Sequence, residues 1–227
     1  MKALKLKNER LQLLILGAPF CAAALLWDKV PDRVPIHWNI HNQVDGYAGK
    51  TFGVLFLPLV NLVCALILAV LPLIDPKIRN YQTEIQASVW RVIRILRLAG
   101  TGFLALVSLA VLASGLGMRV NVGEIISTGM ALLLIVMGNF VGKLRPNYFA
   151  GFRTPWTLES PTVWAKTHRL GGFVMVGCGI CMLLFCFLLR PEHYLIWVAA
   201  PCIAAMAGVP LVYSYVIYQA ERKARAA

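Results

Sequence analysis

Long apolar runs separated by short polar connections define this chain. Stretches rich in leucine, valine, isoleucine and alanine cover residues 11–27, 51–74, 98–118, 125–142, 170–189 and 194–220. Each is close to the ~20 residues that a helix needs to cross a bilayer. The pattern therefore predicts an all-α polytopic membrane protein with six transmembrane helices. Asp75-Pro76 should stop the second helix, and Pro201 and Pro210 should kink the sixth. As so bounded, the six cores contain no Asp, Glu, Lys, Arg or His. That absence argues against a proton-coupled transporter, which needs an ionisable group inside the membrane. Asn61, Ser108, Ser127, Thr128, Asn139 and Ser214 are expected to hydrogen-bond between helices.

Composition agrees with the pattern. Of 227 residues, 59% are hydrophobic and 14% charged, with a mean hydropathy of +0.71, which excludes an ordinary soluble domain. The formal net charge of +12 would suggest nucleic acid in a soluble chain. Here Lys and Arg fall between apolar runs, where they set topology and meet membrane lipids, so no direct nucleic-acid partner is expected. Of 22 Lys and Arg, 17 fall in the N-terminal segment, the second and fourth connections and the tail, and 5 in the alternate connections. This bias predicts that both termini and the 143–169 loop are cytoplasmic, and that the loop after the first span is extracytoplasmic. The basic N-terminal run is read as an anchor, not a cleaved signal. A division into residues 1–97, with two helices and a basic interfacial segment, and 98–227, with four helices, is expected. In that segment Arg91, Arg94 and Arg97 would reach lipid headgroups. The six cysteines lie in apolar runs and read as buried thiols; Cys178 and Cys181 form a mid-helix CxxC without a second pair.

Two polar stretches hold the candidate chemistry. The first loop, VPIHWNIHNQVDGY, offers His37, Trp38, Asn39, Asp45 and Tyr47 as an external binding surface. His37, His41 and Asp45 carry zinc-type donors at short spacing, a weak metal motif lacking a complete ligand set; no cofactor is assigned. The longest interruption in the second half, GNFVGKLRPNYFAGFRTPWTLESPTVWAKTHRLGG, combines cations with Gly, Pro and Trp. Its candidate ligand or partner contacts are Asn139, Arg145, Asn147, Arg153, Thr154, Pro155, Trp156, Thr157, Trp164, Thr167, His168 and Arg169. Arginine suits anions because its fork holds two oxygens. Ser160 and Pro161 should start a short helix on which Trp164 and His168 share a face. No catalytic residue is assigned, since His168 lacks an evident nucleophile or metal partner in sequence.

The second stretch resembles the signature of the SdpI family of bacterial membrane proteins, and VPIHWNIHNQVDGYAGK resembles the small uncharacterised domain found in the N-terminal part of many members. Where that motif commonly has Gly, this chain has Asn42, a residue that tolerates left-handed backbone. The resemblance implies a six-helix inner-membrane protein that confers immunity against a membrane-active antimicrobial peptide and signals to a cytosolic transcriptional repressor. A metal-dependent hydrolase with its polar groups in a membrane-face pocket, and a lipid or small-molecule transporter, are the competing readings.

Overall fold

In the computed structural model, which describes residues 6–226, the apolar runs are helices. The order is α1 (Leu6–Leu26), a hairpin of β1 (Arg33–Trp38) and β2 (Val44–Gly49), α2 (Lys50–Ile74), α3 (Pro76–Arg79), α4 (Thr83–Gly115), α5 (Val122–Val141), α6 (Pro155–Glu159), α7 (Pro161–Phe185), α8 (Pro191–Tyr194), a π-turn (Leu195–Ala199) and α9 (Ala200–Ala226). Among the described residues, six helical stretches are long and apolar enough to cross a membrane. Their outer faces carry large apolar side chains, for example Phe52, Phe56, Leu59 and Val63 on α2, as a lipid-facing surface requires.

Two helices begin well before their apolar cores. α4 is continuous from Thr83, so the basic segment is its first turns; its 33 residues give a length of about 50 Å, well beyond the hydrocarbon core. α7 starts at Pro161, with Ser160 Oγ accepting from the Val163 amide at 3.3 Å. The expected short helix is therefore the first part of a membrane span. The break expected at Pro201 is met by the π-turn just before it, whereas Pro210 lies inside α9.

These early starts correct the expectation that no ionisable group lies within the spans. Glu9 belongs to α1 and Arg97 to α4, and their side chains pair in the interface, 12% and 8% exposed. Arg97 thus turns inward, while Arg91 and Arg94 stay exposed. Beside the pair, Gln12 Nε2 donates to Thr101 Oγ1 at 2.7 Å and Asn61 Nδ2 to the Thr101 carbonyl at 3.1 Å, joining α1, α2 and α4. Breaking a buried pair strands the remaining charge, whereas replacing both members with apolar groups does not. Arg97→Met is expected to cost about 3 kcal/mol, and Glu9→Leu with Arg97→Met should recover most of it. Thermal unfolding in detergent measures both.

α4 also links two hydrophobic clusters. Val89, Val92 and Ile93 pack with residues of α5 and α7, and Val107, Val111 and Leu112 with α1, α2 and the hairpin. Residue 97, where a division was expected, lies inside this shared helix. The thiols are free; Cys178 is buried and faces α9 through the Cys202 carbonyl at 3.7 Å, whereas Cys181 is exposed, as are Cys21 and Cys64, which corrects the expectation that all six are buried.

Candidate functional site

The first polar loop is an antiparallel hairpin set on the membrane bundle. Val34 on β1 is fully buried, seated where Gly53 of α2 and Gly115 of α4 leave room; a Cβ on Gly53 would come within 2.7 Å of the Val34 Cβ. At the tip, Asn39 Oδ1 accepts from the amides of His41 and Gln43 at 2.9 and 3.0 Å, a side chain closing its own turn. Asn42 has φ of 60°, so the left-handed backbone expected of it is present. Its side chain adds a tether: Nδ2 donates to Asn121 Oδ1 at 2.6 Å and Oδ1 accepts from the Gly123 amide at 2.9 Å. The hairpin tip is thereby clamped to the start of α5.

This clamp roofs a cavity of about 680 Å³, whose lining includes Trp38, Asn42, Val107, Val111, Glu124 and Tyr194. Tyr194 is buried, and its hydroxyl, near Ser127, has no hydrogen-bond partner in the structure. Such an orphan hydroxyl is available to a bound group. Of the residues expected here, Trp38 and Asn39 line the cavity with His37, while Asp45 and Tyr47 are exposed on β2. His37 Nδ1 and Asp45 Oδ1 are 2.5 Å apart, but His41 faces Glu192 at 3.6 Å. The three weak metal candidates do not converge, and among the described residues no group of three His, Cys, Asp or Glu is placed to hold a metal.

The signature stretch folds as a pinned loop between α5 and α7, and much of it is interior. Asn147, Thr157, Trp164, Thr167 and His168 are at most 1% exposed. These five were expected on a contact surface, and the structure corrects that: they build the loop. The Trp164 and His168 rings stack at 3.9 Å. His168 Nδ1 lies 2.9 Å from the Trp164 carbonyl, and Nε2 accepts from the Phe152 amide at 2.9 Å; these partners assign the proton to Nδ1. Both nitrogens are thus occupied by backbone, which removes His168 as an acid or base. Gly151, with φ of 102°, lies against the same ring, and a Cβ there would collide with Nε2.

The remaining polar residues are mostly structural too. Thr154 and Thr157 form a reciprocal cap for α6, which Pro155 begins. Thr154 Oγ1 also donates to Ser214 at 3.1 Å, and Ser160 to Glu221 at 2.6 Å, tying the loop to α9. Trp156 meets the Tyr215 ring edge-on at 5.1 Å. Arg153 Nη1 donates to the Tyr148 carbonyl at 2.9 Å and Asn139 to its own helix at 2.8 Å. Arg145, Arg153 and Arg169 are exposed.

Two anchors were not foreseen from sequence. Asp75, fully buried after α2, accepts from the amides of Lys77 and Ile78 with one oxygen and of Tyr148 with the other. Its place before Pro76 is an N-cap signal; its reach to Tyr148 had none. Tyr81 donates to the Pro146 carbonyl at 2.7 Å. Burial pushes this phenol above its usual range, outweighing the opposing Arg145 charge, so it stays a donor.

Comparison with known proteins agrees with both motifs. Residues 143–214 match the SdpI/YfhL protein family and residues 14–62 a domain of unknown function, DUF1648. The chain is 26% identical over 213 residues to Immunity protein SdpI of Bacillus subtilis (strain 168), covering 92% of this chain and 96% of that protein. No solved structure matches the chain. With both motifs in place on a six-span helical bundle, the chain resembles the SdpI family of multi-pass bacterial membrane proteins in both its halves.

Proposed function

We propose that this protein gives its cell immunity to a membrane-active antimicrobial peptide, engaging it from outside through the hairpin and the cavity beneath. The observation that carries the reading is the nearly end-to-end similarity to an immunity protein. The cavity supports it chemically. Apolar walls from Val107 and Val111 suit an apolar side chain, and Trp38, Asn42, Glu124 and the free Tyr194 hydroxyl supply orienting polar groups. The charge bias of the loops supports a cytoplasmic N-terminus and C-terminus, with the hairpin outside. Arg153 and Arg169, exposed on the opposite face, are then available to a cytosolic partner such as a repressor. Signalling would require peptide to bind one arrangement of the bundle better than another.

A deletion strain should be more sensitive than wild type to secreted antimicrobial peptides, and the wild-type gene should restore resistance. Trp38→Ala and Tyr194→Phe, at matched membrane levels, should restore it only in part, by roughly tenfold less in inhibitory concentration, as expected for about 1.4 kcal/mol of lost contact. Unchanged sensitivity of the deletion strain would remove the immunity reading. Full protection by both variants would move recognition away from this cavity.

A further inference from the structure

A second cavity, of about 630 Å³, opens at the other end of the bundle, between α4, the end of α5 and the start of α7. Arg91, Lys143 and Arg145 line it from separate segments, with Val92, Phe140 and Trp164 among its apolar walls. No Asp or Glu lines it, and among the described residues none of the three cations has a carboxylate partner. The Lys143 Nζ lies 4.6 Å from the Phe140 ring centroid.

The rim is held in place by the interior of the signature. Three consecutive carbonyls each receive a side-chain donor. Trp164 Nε1 bonds Leu144 at 2.8 Å, Asn147 Nδ2 bonds Arg145 at 3.0 Å, and the Tyr81 hydroxyl bonds Pro146 at 2.7 Å. The backbone strip that contains Arg145, and that Lys143 directly precedes, is thus fixed by side chains of α7, of the loop itself and of the segment before α4. Holding cations in advance reduces the ordering cost of capturing an anion. A purely topogenic basic loop would need charge but no such rim.

We infer that this cavity is a binding site for an anionic phospholipid, with the phosphodiester among Arg91, Lys143 and Arg145 and the acyl chains along Val92, Ile95 and Phe140. The chemistry fits at both ends: guanidinium forks hold phosphate oxygens in pairs, and Val92, Ile95 and Phe140 give the cavity an apolar wall. The site lies on the side that the loop charges assign to the cytoplasm, and it stands apart from the peptide-immunity reading.

The test is native mass spectrometry of the delipidated full-length protein, titrated with phosphatidylglycerol or phosphatidylcholine in detergent. The expected result is one phosphatidylglycerol retained per chain and phosphatidylcholine lost. Each basic residue near a membrane surface is worth about a fivefold change in affinity, so R91Q/K143Q/R145Q should bind on the order of a hundredfold more weakly. R94Q/R222Q/K223Q removes the same charge outside the cavity and should retain the lipid. Equal retention of phosphatidylcholine, equal loss in the control variant, or unchanged binding by the cavity variant would overturn the assignment. Complete displacement of the lipid by inorganic phosphate alone would also overturn it, in favour of a free-anion site.

Discussion

Asp75→Ala is expected to remove most of the folded protein from the membrane. The carboxylate is fully buried and satisfies three backbone amides, at 2.8 Å and 3.2 Å on one oxygen and 2.7 Å on the other. Two of these start α3; the third belongs to Tyr148 in the signature loop, 73 residues away in sequence. Orphaning a buried donor costs about 1–3 kcal/mol, so the loss of all three should be roughly 3–9 kcal/mol, comparable with the net stability of many domains. The damage should spread through Tyr148, whose ring lies under the Lys77 ammonium at 4.5 Å and whose carbonyl holds Arg153. Asp75→Asn keeps one accepting oxygen but turns an NH2 toward at least one amide, so it should recover less than half of the loss. Fluorescence-detected size exclusion after mild detergent extraction would show a lower monodisperse peak and a lower midpoint of thermal unfolding. A wild-type midpoint for Asp75→Ala would mean that water or a backbone shift replaces the carboxylate.

The six spans were legible because a membrane helix must satisfy its own backbone polar groups and present apolar side chains along some 20 residues. Helix starts were harder. Apolar content does not mark the entrance of Glu9 or Arg97 into a helix, because what lets them in is a partner on another helix, and one chain's pattern carries no pairing information. The hairpin was missed for a related reason. Its strands are short, one of the two contains glycines, and β1 is fixed by Val34 filling space left by Gly53 and Gly115, which lie on two different helices. At the candidate sites, residue type was informative and direction was not. Trp164, His168 and Asn147 stood out in the signature, but sequence read them as contacts, whereas they face inward and hold carbonyls and amides. Arg145 stood out as an anion contact and Arg91 as a headgroup contact, but sequence could not show that they share a cavity, because α4 brings Arg91 beside a loop more than fifty residues later.

Gly138→Ala should destabilise the bundle while Gly177→Ala should not, an opposite pair of outcomes from the same chemical change. α5 and α7 cross at Gly138 and Gly172. A Cβ on Gly138 would stand 2.7 Å from the Gly172 carbonyl oxygen and 2.9 Å from the Val176 amide nitrogen, and one on Gly172 2.6 Å from the Gly138 carbonyl oxygen. One helical repeat further along, Gly179 would meet the Ala131 carbonyl oxygen at 2.8 Å. The obstacles are backbone atoms, so no side-chain rotation can relieve them and the helices must separate. Small residues at such a crossing allow close backbone packing, the main source of attraction between helices in lipid, where the hydrophobic effect no longer favours association. Alanine is the better helix former by about 1 kcal/mol, yet the overpacking at Gly138 should outweigh this with a net loss of about 2–3 kcal/mol. Gly177, on α7, is exposed with nothing within 4 Å of its Cβ direction, and there alanine should be neutral or stabilising by up to about 1 kcal/mol. Gly138→Leu would force the helices further apart and should leave little extractable folded protein. Because α7 carries Trp164 and His168 one to two turns before Gly172, separating the crossing also pulls at the pins beneath the signature loop. Thermal unfolding of the three variants in one detergent decides the matter. Equal midpoints for Gly138→Ala and Gly177→Ala would show that the crossing tolerates separation and that the loop is held by its hydrogen bonds alone.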